Sequence, residues 1–122
     1  MRVAGFGFTS RATLASLRSA LGRAGGGAGL TALATAADKA DATAMQELAR
    51  ELGLPLHAVA LDQLAVQAGA SLASAVPARY GARSVAEAAA LAAAGPGARL
   101  VGTRVVSDDR LATAAIAERD GK

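Results

Sequence analysis

Cysteine and tryptophan are absent from the chain. Without a thiol there is no disulfide, no thiolate nucleophile and no cysteine-based zinc or iron–sulfur site. Aromatic residues are nearly missing, with Phe6, Phe8 and Tyr80 forming the whole set. Readers of single-stranded nucleic acid stack bases on aromatic rings, and three rings are too few for such a platform. The only histidine, His57, lacks the two or three further ligands that a zinc site needs at workable spacing. No serine sits in a G-x-S-x-G elbow, so a hydrolase nucleophile has no footing. Runs of like charge are missing too. Eleven arginines and two lysines are scattered and give a net charge of only +3, which leaves a duplex-binding patch unsupported. Long apolar runs are the last absence. The most apolar stretch, Val85 to Ala94, carries Glu87 and stops at Gly95-Pro96-Gly97, far short of the roughly 20 apolar residues of a membrane span. Met1 to Phe8 is a short strand-like run broken by two glycines, not a signal peptide. The expectation is a cytoplasmic protein that engages neither nucleic acid nor membrane and holds no metal or cofactor.

What is present is alanine, 35 times in 122 residues. A hydrophobic fraction of 52% against 19% charged residues excludes a disordered chain. The length is that of one domain, and no linker or repeat divides residues 1–122. Val3 to Phe8 predicts a first strand. A helix is expected from about Ser10 or Arg11, with Leu14, Leu17 and Leu21 on one face and Thr9 or Ser10 as cap. Gly25-Gly26-Gly27 ends it. Leu30 to Thr35 predicts a second strand, and 36–41 a charged loop. Thr43 and Gln46 have capping-box spacing ahead of a helix through Leu52, with Gly53 and Pro55 as its stop. Leu56 to Leu61 predicts a third strand, Asp62 to about Ala68 a short helix, and 69–82 a long connection. Ser84 and Glu87 form a second capping-box spacing before a helix over Val85–Ala94. Arg99 to Ser107 and Leu111 to Ala117 predict a terminal hairpin turning at Asp108-Asp109. This order implies an α/β domain: three layers, α/β/α, around a mostly parallel, mixed sheet of about five strands with an antiparallel edge from the hairpin.

Ligands of open α/β sheets bind beyond the carboxyl ends of the strands. The first such loop offers Gly5, Gly7, Thr9 and Ser10. Gly5 and Gly7 fit the start of a dinucleotide fingerprint, but Ser10 stands in place of its third glycine and Thr35 in place of the ribose-holding acid. The second loop offers Thr35, Asp38 and Lys39, and Lys39 beside a helix start could hold a carboxylate or phosphate as a point charge. The third candidate is Arg83 with Ser84 at the start of the strongest helix, where free N–H groups attract an anion. These are anion-friendly loops without a catalytic set, which points to binding.

Several segments run in a recognisable order. They are Gly5-x-Gly7 with Thr9-Ser10, then Leu33-Ala34-Thr35-x-x-Asp38-Lys39-Ala40, then Glu51 to Leu56. Gly81-x-x-Ser84-Val85-Ala86-Glu87-Ala88-Ala89-Ala90-Leu91 and Ala112-Thr113-x-Ala115-Ile116-Ala117 follow. The ordered set resembles the CobE / CbiG C-terminal domain family of cobalamin (vitamin B12) biosynthesis. In larger CbiG proteins this domain follows others, and the whole protein opens a lactone ring of a cobalt-precorrin. The chain looks like the stand-alone CobE form, without the domains expected to open the ring. The resemblance implies a small α/β/α protein that binds a precorrin or related corrinoid intermediate as carrier, product trap or accessory to a pathway methyltransferase. Lys39, Arg83 and Arg104 would suit the many carboxylates of such a ligand. Family members often carry lysine where Arg104 stands, and arginine grips a carboxylate differently, through two parallel bonds. Two rival expectations stand beside it. One is an enzyme on the same intermediate, with Thr9, Ser10, His57 or Glu87 moving protons. The other is an interaction module whose alanine-rich faces dock on a pathway enzyme.

Overall fold

Strand β1 (Arg2–Phe8) is flanked on both sides, and this places it at the centre of the sheet. On one side it pairs parallel with β2 (Ala32–Ala36), which pairs parallel with β3 (Leu56–Val59). On the other side it pairs antiparallel along its full length with β6 (Ala112–Glu118). Two short strands, β4 (Arg99–Leu100) and β5 (Val105–Val106), both pair antiparallel with β6. The helices are α1 (Leu14–Arg23), α2 (Thr43–Leu52) and α3 (Gly81–Ala94), with a 3-10 turn at Ala37–Lys39. The computed structural model describes residues 1–27, 29–60, 62–63, 81–102 and 104–119, and of 81–84 the backbone alone. No helix among the described residues is long and apolar enough to cross a membrane.

The two faces of the sheet are built differently. On the first, Phe6, Leu33 and Ile116 meet Leu17, Leu21, Met45 and Leu48 of α1 and α2, a core of large side chains. Arg18 of α1 and Glu51 of α2 clamp these two helices through a two-pronged ion pair at the surface. On the second face Val3, Ala32, Ala34 and Ala117 meet Ala89, Ala90 and Ala94 of α3, where almost every side chain is a methyl group. The three layers and mixed sheet follow from this division, as expected from the alternation of strands and helices.

Several boundaries differ from expectation, each for a local reason. Helix α1 is capped by Thr13, not Thr9 or Ser10. Its hydroxyl accepts from Ser16 N at 3.3 Å while Ser16 Oγ accepts from Thr13 N at 3.0 Å, a reciprocal box closed by serine. Thr43 and Gln46 do not form their box. Ala42 is the cap residue without a side-chain bond, and Gln46 Nε2 donates instead to the Ala40 carbonyl at 2.6 Å. Helix α3 begins at Gly81, so Ser84 lies inside it and not at its cap. Gly53 does end α2, in the left-handed conformation at φ 68°, which a residue without Cβ adopts without strain. The expected strand over 99–107 is split in two. Val101 N still donates to Ile116 O at 2.8 Å, but Val105 lies opposite Ala114, so the first side of the hairpin bulges. The other side, β6, is not at the edge but inserted beside β1. The helix expected from Asp62 falls outside the described residues beyond 62–63, and so does the connection before residue 81.

The β5–β6 turn is fastened to α1. Ser16 Oγ, 1% exposed, donates to Asp109 Oδ2 at 2.6 Å. Ser107 Oγ donates to Asp109 Oδ1 at 2.6 Å, and Leu111 N to the same oxygen at 3.0 Å. Asp108 joins in through Arg23 at 2.5 Å and through Ser19 Oγ, which accepts from its N–H at 3.0 Å. The hydroxyl donors Ser107 and Ser16, then the Leu111 N–H, hold the Asp109 carboxyl below the usual aspartate range. A carboxyl lowered in the folded state stabilises above its unfolded value, near pH 4 or about 3.9, and loses that contribution as pH falls through the folded value. Asp109→Asn should therefore unfold at lower urea than the unaltered protein at about pH 7, and the difference should shrink by about pH 3. A difference of constant size across that range would refute the assignment.

Candidate functional site

The parallel ladder brings the carboxyl ends of β1 and β2 to one edge, with Phe6 in register with Thr35. Two loops leave there. In the first, Thr9 N donates to Leu111 O at 3.0 Å and Thr9 Oγ1 accepts from Arg11 N at 3.2 Å. In the second, the 3-10 turn is followed by a bond from Ala42 N to Lys39 O at 3.0 Å. Between them opens a cavity of about 470 Å³. Phe8, Thr9 and Ser10 line it from the first loop, and Asp38, Lys39 and Asp41 from the second. Lys39 Nζ stands 5.4 Å from the centre of the Phe8 ring, a cation–π contact between two lining residues of the cavity. Thr43 and Ala44 also line it. They open α2, whose start has no side-chain cap, so first-turn N–H groups remain available there. The lining thus carries one cation, two carboxylates, several hydroxyls and a helix start. It can hold a group that both accepts and donates hydrogen bonds.

Thr9, Ser10 and Lys39 are therefore brought together. Gly5, Gly7, Thr35 and Arg104 do not join them. Gly5 is buried beneath α3: a Cβ there would lie 2.1 Å from the Ala86 carbonyl oxygen and 2.6 Å from Ala90 N. A Cβ on Gly7 would meet Thr113 Oγ1 at 3.1 Å and Val85 Cβ at 3.3 Å. Both glycines let a helix approach, not a ligand, and this corrects the expectation that Gly5 and Gly7 belong to a ligand site. Thr35 is fully buried and its hydroxyl donates to the Phe6 carbonyl at 2.9 Å, so it faces the sheet and not a ligand. Arg104 is half-buried immediately before β5, separated from β1 by β6, and does not line the cavity. The side chains of Arg83 and Ser84 lie outside the described residues. His57 is exposed on β3 and Glu87 half-buried on α3, and neither lines the cavity. No group of three acidic or histidine side chains among the described residues is placed to hold a metal ion.

The family described as cobalamin synthesis G C-terminus matches residues 2–117. The chain belongs to this family. Solved structures agree over nearly its whole length. The cobalamin biosynthesis protein chiG from Agrobacterium tumefaciens str. C58 is 36% identical with a TM-score of 0.75, covering 99% of this chain and 100% of that one. CobE, a protein from the cobalamin (vitamin B12) biosynthetic pathway, is 32% identical with a TM-score of 0.73, covering 96% of this chain and 89% of its own. A cobalamin biosynthesis protein G homologue from Sulfolobus solfataricus shares the fold at 18% identity and a TM-score of 0.69, over 37% of its own length. No curated protein sequence matches the chain.

In this CbiG C-terminal domain the lining residues Phe8, Asp41 and Thr43 carried no ligand expectation. Phe8 ends β1, partly buried against the core of α1 and α2, and its ring also meets Lys39. Asp41 was legible only as one charge of a polar loop. Thr43 fits a capping box by spacing, and the unused box is what leaves the start of α2 open.

Proposed function

We propose that this member of the cobalamin biosynthesis family binds a precorrin or related corrinoid intermediate at the cavity between the 9–12 and 38–44 loops. It then acts as a carrier, a product trap or an accessory to a pathway methyltransferase, in the cytoplasm. The observation that carries this reading is the meeting of Lys39, Phe8, Thr9 and Ser10 at one cavity beyond the carboxyl ends of β1 and β2. Family membership supplies the pathway. The chemistry agrees in kind. Corrinoid intermediates carry acetate and propionate arms, as free acids or as carboxamides, and an ammonium, hydroxyls and helix N–H groups can receive the oxygen of either. Methyltransferases are the partners that such a carrier would serve.

Titration with hydrogenobyrinic acid, followed by absorption and native mass spectrometry, tests this. A one-to-one complex with the ligand mass unchanged is the expected result. Lys39→Ala should weaken it about tenfold, the loss of one charge-assisted hydrogen bond, with the unfolding temperature unchanged. Equal affinity in that variant would remove the site from the cavity. A changed ligand mass would make the protein an enzyme, and no complex would favour an interaction module.

A further inference from the structure

The cavity's size and its charges narrow what part of a ligand it can take. At about 470 Å³ it lies in the lower half of the range that serves drug-sized molecules, about 300–1,000 Å³. A tetrapyrrole with all its side chains is larger than those molecules, so the cavity admits a peripheral arm and leaves the ring outside. The lining then decides which arm. Lys39 and the open start of α2 donate hydrogen bonds, but Asp38 and Asp41 face the same space and only accept them. One ammonium against two carboxylates leaves the described lining with one net negative charge. A carboxylate arm would satisfy the donors and meet repulsion from the two aspartates. A carboxamide arm satisfies both sets, its oxygen accepting from Lys39 or a first-turn N–H and its NH2 donating to an aspartate.

We propose that this cavity is a subsite for a carboxamide arm and discriminates against the corresponding free acid. The inference rests on the reading above for the place of the site, and not for the identity of the ring. Its test uses glutaramide and glutarate, which differ only in this group, followed through backbone amide shifts in two-dimensional NMR. Glutaramide should shift the amides of residues 9–12 and 38–44 and bind about tenfold more tightly than glutarate, the difference made by one charge-assisted hydrogen bond. The double variant Asp38→Asn, Asp41→Asn should abolish that preference, and Lys39→Ala should weaken both probes. Unchanged unfolding temperatures would show that these surface variants still fold. Tighter or equal binding of glutarate, a preference that survives the double variant, or no shift with either probe would overturn the proposal. If glutaramide shifts these amides and neither hydrogenobyrinic acid nor its a,c-diamide binds, the corrinoid reading falls and the subsite stands. If hydrogenobyrinic acid binds and glutaramide does not, the subsite falls alone.

Discussion

Gly5→Ala should destabilise the protein by about 3 kcal/mol or more, the upper end of what overpacking costs. The atoms that a Cβ would strike are the backbone of α3, at 2.1 Å and 2.6 Å, not the tip of a side chain that could swing away. Gly5 sits mid-strand in a three-strand register, opposite Ala34 on β2 and Ala115 on β6, so the strand cannot yield either. The helix must lift, and lifting it opens the methyl-to-methyl contact of Ala89, Ala90 and Ala94 with the sheet. Thermal unfolding should fall by roughly 10 °C or more for a domain of this size. The control is Gly22→Ala in α1, where the new methyl meets nothing within 4 Å. There alanine should stabilise slightly, by about 0.5–1 kcal/mol. If the two variants unfold at the same temperature, the close approach of α3 is not what makes Gly5 a glycine.

Phe6→Ala should cost about 3–5 kcal/mol, by the opposite error in volume. Phe6 is fully buried one residue further along the same strand, on the face that α1 and α2 cover. Its neighbours Leu17, Leu33, Met45 and Leu48 are themselves almost wholly buried and held in helices and strands, so they cannot collapse into the space. Against a total stability of about 5–15 kcal/mol, this loss should leave the variant near its folding limit. Urea unfolding should show a lower midpoint with an unchanged slope. A dry apolar cavity also takes up small apolar molecules, so benzene should raise the unfolding temperature of Phe6→Ala and leave the unaltered protein unmoved. A loss below about 1 kcal/mol, typical of an ordinary surface change, would contradict this account of the core.

The pair explains what could and could not be read beforehand. Alternation along β1 and breakers such as Gly53 mark local conformation, and they placed β1, β2 and α2 to within two residues. Strand order is a matter of which surfaces meet, and nothing in the apolar period of 112–117 says that β6 lies beside β1. Capping spacings were misleading for a related reason. Thr43 with Gln46 and Ser84 with Glu87 satisfy the pattern, but Ala42 is the cap residue of α2 and α3 begins at Gly81. The candidate site shows the same division. Thr9, Ser10 and Lys39 were legible as polar residues of loops beyond strand ends. Gly5 and Gly7 were ambiguous, because a phosphate and a helix both demand a missing Cβ, and only the packed structure distinguishes them. Thr35 was read by its position in the chain, while its hydroxyl is turned into the sheet toward the Phe6 carbonyl.

The pairing of β1 with β6 has a kinetic consequence. Residues 2–8 find their antiparallel partners at 112–118, and Met1 N and Arg119 N each donate to the other's carbonyl, at 3.0 and 2.9 Å. Such contacts have the longest sequence separation among the described residues, and the entropy of closing so long a loop must be spent before they form. During synthesis β1 can pair with β2 as soon as it emerges, and β2 with β3, but the second edge of β1 must wait for β6. An open strand edge is a template for other chains. The central strand of the finished sheet thus keeps an open edge until residues 112–118 emerge, and their pairing is the step that ends its vulnerability to misassembly.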